Sequence, residues 1–246
     1  MTEFAFFLSA ASTVGILGFG FALGLKHATD ADHLAAVGTI VAERKSVWSS
    51  AILGGIWGLG HTISLVAAGI FVLLLNFEIT ERTERILEFG VGVMLLLLGI
   101  NVGRKLVRGA MLHFHEHEHG NRQHVHPHLH QKTEKEEPHT HHGLRFSPRA
   151  LVIGMIHGLA GSAGLMILVI PTIESKALGL VYILVFGIGS VGGMMLMSFL
   201  VGLPFHLTAL RFNRFNNVLQ GVAGTVSIVI GLLIIYEKGI TEGLLV

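Results

Sequence analysis

The chain has 246 residues, of which 51% are hydrophobic and only 13% charged, with a mean hydropathy of +0.67 and a formal net charge of +1. A soluble domain carries roughly twice that charged fraction, so composition excludes an ordinary soluble protein, and no basic footprint for nucleic acid is present. Cysteine is absent, which removes disulfides and thiolate ligands and leaves His, Asp, Glu, Met and backbone oxygen as groups able to hold a metal.

The first apolar run, residues 4–25, follows an N-terminus without the basic stretch of a secretory signal, so it is expected to be retained as a span. Residues 26–42 come next and carry a polar motif. They read either as a seventh, shorter helix or as the continuation of a long, broken first one, with Gly15, Gly18, Gly20 and Gly24 supplying places to break. Further runs near the spanning length of about 20 residues lie at 51–75, 86–102, 151–170, 178–203 and 218–236. The predicted fold is an all-α, polytopic transmembrane bundle of six to seven spans, with seven preferred. Three parts are expected: an N-terminal membrane half over 1–108, a His-rich loop over 109–147 and a C-terminal membrane half over 148–246.

Charge in the connections alternates. Arg44 and Lys45, then Arg104, Lys105, Arg108, Arg145 and Arg149, then Arg211 and Arg214 mark three basic loops, whereas the connections near 78–84 and 174–176 are balanced or acidic. The positive-inside rule places the basic loops in the cytoplasm and the C-terminus outside. The N-terminus is then inside for seven spans and outside for six.

The halves echo each other at an offset of about 130 residues. Gly24-Leu25-Lys26-His27 aligns with Gly154-Met155-Ile156-His157, Gly58-Leu59-Gly60-His61 with Gly187-Ile188-Gly189-Ser190, and Gly92 and Gly99 with Gly224 and Gly231. Three spans per unit reverse the orientation between copies, which is the inverted-repeat plan of many secondary transporters.

The polar motif is His27-Ala28-Thr29-Asp30-Ala31-Asp32-His33. Ionisable groups inside a membrane cost several kcal/mol unless they line a path or a site, and imidazole with carboxylate suits nickel, cobalt, zinc or iron. On an ideal helix His27, Asp30 and His33 share one face. Asp32 joins them if the helix unwinds, or else orients an imidazole as a hydrogen-bond acceptor. The intramembrane histidines His61 and His157 are expected to complete the site. In the central loop, His113, His115, His117, His119, His124, His126, His128, His130, His139, His141 and His142 alternate with glutamates. So polar a segment is expected to be disordered without metal and to act as an accessory buffer for divalent ions.

The stretch Gly24-Leu25-Lys26-His27-Ala28-Thr29-Asp30-Ala31-Asp32-His33-Leu34 resembles the signature of the nickel/cobalt transporter family (NiCoT, within the broader NicO group), and Leu59-Gly60-His61 resembles its next element. His157-Gly158-Leu159-Ala160-Gly161-Ser162-Ala163 resembles the shorter branch associated with urease accessory membrane proteins. The resemblance implies a multi-pass inner-membrane secondary transporter for Ni²⁺ or Co²⁺, with uptake favoured over efflux and zinc or iron as alternative cargo. It points to His27, Asp32 and His33, with Asp30 beside them. Expected partners are the ion, membrane lipid, and cytoplasmic nickel chaperones or urease or hydrogenase maturation proteins. No resident cofactor is expected. No His-Glu-x-x-His and no Gly-x-x-x-x-Gly-Lys-Ser/Thr motif is present, so neither a zinc protease nor an ATP-driven pump is expected.

Overall fold

In a computed structural model, the described residues form seven α-helices: α1 (Thr2–His27), α2 (Ala31–Val41), α3 (Val47–Leu75), α4 (Glu81–Val107), α5 (Pro148–Val169), α6 (Lys176–Ala209) and α7 (Asn213–Tyr236), the last running into a π-helical turn, Glu237–Thr241. The structure describes residues 2–42, 44, 46–75, 80–108, 112–119, 122–129, 147–169, 175–209 and 213–245. Among them, α3, α4, α6 and α7 are long and apolar enough to cross a membrane. α1 and α5, with 26 and 22 residues, also have the length.

Helix α2 has 11 residues, about 16 Å at 1.5 Å per residue, and cannot span alone. It continues α1 after a break at Ala28–Asp30. Thr29 and Asp30 are residues whose short polar side chains compete for backbone partners and disfavour helix interiors. Here the Thr29 hydroxyl donates to the Lys26 carbonyl at 2.6 Å, and Asp30 has extended backbone at φ −63°, ψ 148°. The residues before the break, Gly20 to Ala28, pack along α6 between Tyr182 and Gly193, which is the middle of that helix. The break therefore lies at mid-bundle, and α1 and α2 follow one another as a broken first element.

Close backbone contacts reveal how the two halves are related. A Cβ on Gly24 would collide with the Phe186 carbonyl oxygen, and one on Gly154 with the Trp57 carbonyl oxygen. Gly189 stands in the same relation to Phe21 as Gly60 does to Leu151. With the offset of about 130 residues, α1 on α6 is thus the same contact as α5 on α3. The equivalent helices α3 and α6 pack antiparallel, since Gly54 meets Ser198 while Thr62 meets Gly187. So do α4 and α7. A Cβ on Gly99 would lie 2.5 Å from the Gly224 carbonyl oxygen, and one on Gly231 would lie 2.7 Å from that of Gly92. Equivalent helices that run antiparallel require a two-fold axis across the bundle, which is the inverted repeat. Small residues are needed at these crossings because association in lipid depends on close van der Waals contact.

The C-terminal turn is pinned to the start of α4. Lys238 reaches Glu88 at 2.9 Å and Glu242 at 2.6 Å, and Arg85 donates to the Glu242 carbonyl. In the central loop the backbone forms an antiparallel pair, β1 (Leu112–His119) with β2 (Arg122–Leu129), where disorder was expected. The cause is a period-two alternation of His with Phe, Glu and Val, which is a strand pattern. The register sets His113 opposite His128, His115 opposite His126 and His117 opposite His124. His130, His139, His141 and His142 lie outside the described residues.

Replacing Gly24 or Gly154 by Ala should cost about 1–3 kcal/mol through overpacking against backbone that cannot retreat. Gly15→Ala and Gly18→Ala, where nothing lies within 4 Å, should not destabilise. Thermal unfolding followed by size-exclusion chromatography of the purified protein checks both.

Candidate metal centre

Four elements meet at the break. α1 brings His27 in its last turn, α2 brings Asp32 and His33 in its first, α3 brings His61 from its centre, and α5 brings His157. His33 and His61 are fully buried and His157 is 1% exposed. α5 comes this close because it is glycine-rich. A Cβ on Gly158 would collide with the His61 carbonyl, and one on Gly161 would stand 3.5 Å from His27 Nε2.

The four imidazoles cluster around His33. Its ring centroid is 4.3 Å from that of His27, 4.2 Å from that of His157 and 5.3 Å from that of His61. The aspartates turn these rings. Asp30 Oδ2 accepts from His27 Nδ1 at 2.8 Å. Asp32 Oδ1 accepts from the backbone N–H of His33 at 2.9 Å and from its Nδ1 at 3.0 Å, and Asp32 Oδ2 accepts from His157 Nε2 at 2.9 Å. A carboxylate can only accept, so each of these ring nitrogens carries a proton, and in the neutral imidazole the other keeps its lone pair.

Those other nitrogens are the buried orphans. His27 Nε2, His33 Nε2, His157 Nδ1 and both ring nitrogens of His61 have no hydrogen-bond partner among the described residues. Each such group costs about 1–3 kcal/mol if left alone, so a partner able to accept lone pairs fits here. His27, His33 and His61 offer donor atoms within 4.8 Å of one another, and so do Asp32, His33 and His157. Neutral imidazoles with two carboxylates also balance a divalent cation.

The sequence-predicted residues His27, Asp32, His33, His61 and His157 are therefore brought together. Asp30 sits at the rim with its side chain 42% exposed and bonds only to His27. It is placed to orient an imidazole rather than to ligate. The sequence reading did not single out Trp57 and Phe186. The buried Trp57 ring lies 5.4 Å from both His33 and His157, and Phe186 lies 5.5 Å from His27. Both were findable, because Trp57 precedes His61 by four residues on the same helix face and Phe186 is its equivalent in the second half.

Comparison with known proteins follows the same line. Residues 59–233 match the family described as "Cytochrome C biogenesis protein transmembrane region". The urease accessory protein UreH of Bacillus sp. (strain TB-90) is 39% identical over 231 residues, covering 94% of this chain and 95% of that protein. The chain belongs to the UreH family. Its membrane region falls in the broader family of transmembrane regions just named. A "High-affinity nickel transport protein" of Cupriavidus necator is 32% identical over 78 residues, 31% of this chain and 22% of that protein. No solved structure matches. These relatives are named as an accessory protein and a transport protein, and this chain has the apolar helices of a membrane protein.

The geometry separates the two aspartates. Asp32→Asn, which can no longer accept from both His33 and His157 in the same tautomers, should weaken divalent-metal binding about 10–100-fold. Asp30→Asn, touching only His27 from an exposed position, should weaken it less. Calorimetric titration of purified protein reads both, and equal affinities for Asp32→Asn and the wild type would discard the orienting role.

Proposed function

We propose that this UreH-family chain moves Ni²⁺, or Co²⁺, across the cytoplasmic membrane as a secondary transporter, with uptake as the direction. The observation that carries the reading is the set of buried, unpartnered imidazole nitrogens at the break of the first span, held in position by Asp32. Imidazole donors with carboxylate support suit nickel and cobalt, and a discontinuous helix at mid-bundle is where secondary transporters place their sites. The similarity to a urease accessory protein and to a nickel transport protein supports nickel as the cargo.

His27, His33 and His61 would take the ion, with Asp32 and His157 beside it. The two repeats would rock about this site to expose it alternately to either side. With six spans the basic loops face the cytoplasm and both termini face outside. The His-rich loop would then hold divalent ions loosely on the cytoplasmic side. Cytoplasmic nickel chaperones or urease or hydrogenase maturation proteins would receive them. A divalent cation moving into a negative interior gains about 4.6 kcal/mol per 100 mV, so the membrane potential can drive uptake without ATP.

Cells expressing the wild type at trace external Ni²⁺ should accumulate nickel above a vector control, measured by elemental mass spectrometry, and Asp32→Ala should abolish the excess. Depletion below the control would reverse the direction, and no difference would overturn nickel as the cargo. Deleting residues 113–142 should leave substantial transport and shift its dependence on external metal, read by the same measurement across a concentration series.

A further inference from the structure

We infer that the ion is held by two alternating sets of donors that share His33: His27, His33 and His61 in one state of the transport cycle, and Asp32, His33 and His157 in the other. The inference rests on the transport reading above and adds to it which side chains hold the ion before and after the switch.

Three observations carry it. The donors fall into two trios, each closed within 4.8 Å, and not into one group of five. His33 is the hinge between them, with its ring 4.3 Å from His27 on one side and 4.2 Å from His157 on the other, while His61 and His157 stand 6.1 Å apart. In the arrangement seen here, only donors within one trio lie within 4.8 Å of one another among the described residues.

The inverted repeat supplies the second observation. His27 and His157 occupy equivalent positions, and each has an equivalent aromatic neighbour: Phe186 lies 5.5 Å from His27, and Trp57 lies 5.4 Å from His157. When an inverted-repeat transporter changes the side it faces, the two halves exchange roles. An arrangement that favours the ion beside His27 therefore has a counterpart that favours it beside His157. Asp32 and His33 align with Ser162 and Ala163, so the second half offers no copy of them. His33 must serve both states.

Thirdly, the two trios differ in readiness. His27, His33 and His61 present free ring nitrogens. The other trio also keeps a free nitrogen, His157 Nδ1, but its carboxylate is occupied, because Asp32 accepts from both His33 and His157. The conformation seen here is the one that takes the ion at the first trio. Transfer to the second requires Asp32 to exchange at least one of those hydrogen bonds for the ion.

The test uses the full-length chain, purified for calorimetric titration with NiCl₂ and reconstituted in liposomes with an internal metal-sensitive dye for flux. His157→Gln keeps an N–H donor for Asp32 and removes the imidazole ligand. It should bind Ni²⁺ within about fivefold of the wild-type Kd while flux falls about 20-fold or more. His61→Ala should lose binding by about 50-fold or more, and His33→Ala should lose both binding and flux. His157→Asn, checked for a wild-type melting temperature, should show the same split as His157→Gln. If His157→Gln weakens binding as much as His61→Ala, all donors act at once and the alternation is wrong. If its flux equals that of the wild type, His157 takes no part and the alternation is equally wrong. A wild-type chain that binds no Ni²⁺ would instead sink the transport reading itself.

Discussion

Asp32 accepts hydrogen bonds from the imidazole of His33 beside it and from that of His157, 125 residues away in the chain, and the geometry of the centre follows from that one carboxylate. A carboxylate inside a membrane protein is costly unless it finds donors. Asp32 Oδ1 finds them in the neighbouring His33, but Oδ2 finds its donor, His157, only when α2 and α5 approach each other, so Asp32 ties the broken first span of one half to the first span of the other. By taking the proton-bearing nitrogen of each ring it also decides which nitrogens remain as lone pairs. The approach itself depends on what is missing at Gly154 and Gly158, where any side chain would meet the backbone of α3. Glycine contacts set the distance, Asp32 sets the orientation, and the cluster of free nitrogens is the product.

Much of this was legible beforehand because lipid penalises polar groups so heavily. Two aspartates and two histidines in seven residues between apolar runs had to lie at an interior site. The repeat then singled out His157, and the Leu59-Gly60-His61 element singled out His61. The course of the chain around the motif was harder to read. Glycine is abundant throughout α1, yet the helix does not break at any glycine; it breaks at Ala28–Asp30, where Thr29 and Asp30 bond to the preceding turn. Glycine in lipid marks close packing more often than hinges, since the neighbouring helix holds it in place. Asp30 was equally ambiguous. Helical spacing put it on one face with His27 and His33, but the break turns it outward and leaves its carboxylate bonded to a single ring.

Trp57 and Phe186 show a different limit. An aromatic residue in an apolar span looks like every other lipid-facing or core residue, and only its register relative to His61 sets Trp57 apart. The loop was obscured by composition: low apolar content argued for disorder, while the alternation of His with Phe, Glu and Val carries the strand period. Composition and periodicity are separate signals, and here they disagree.

The halves have kept their backbone relation and diverged in chemistry. Gly24 and Gly154, Gly60 and Gly189, and Gly92 and Gly224 still make matching contacts, because a change at any of them would force helices apart. By contrast, His61 faces Ser190 in the alignment, and Asp32 and His33 face Ser162 and Ala163. A fully duplicated motif would place twice the carboxylates and imidazoles at the centre, adding like charges and donors beyond what one divalent ion can satisfy. With the motif in one half alone, the centre has two carboxylates, Asp30 and Asp32. Both carboxylates are bonded to imidazole rings, and the opposite ring nitrogens of His27, His33 and His157 have no hydrogen-bond partner among the described residues. If the centre takes an ion as proposed, the first set of donors is imidazole alone, and Asp32 reaches the ion only by giving up a hydrogen bond to His33 or His157.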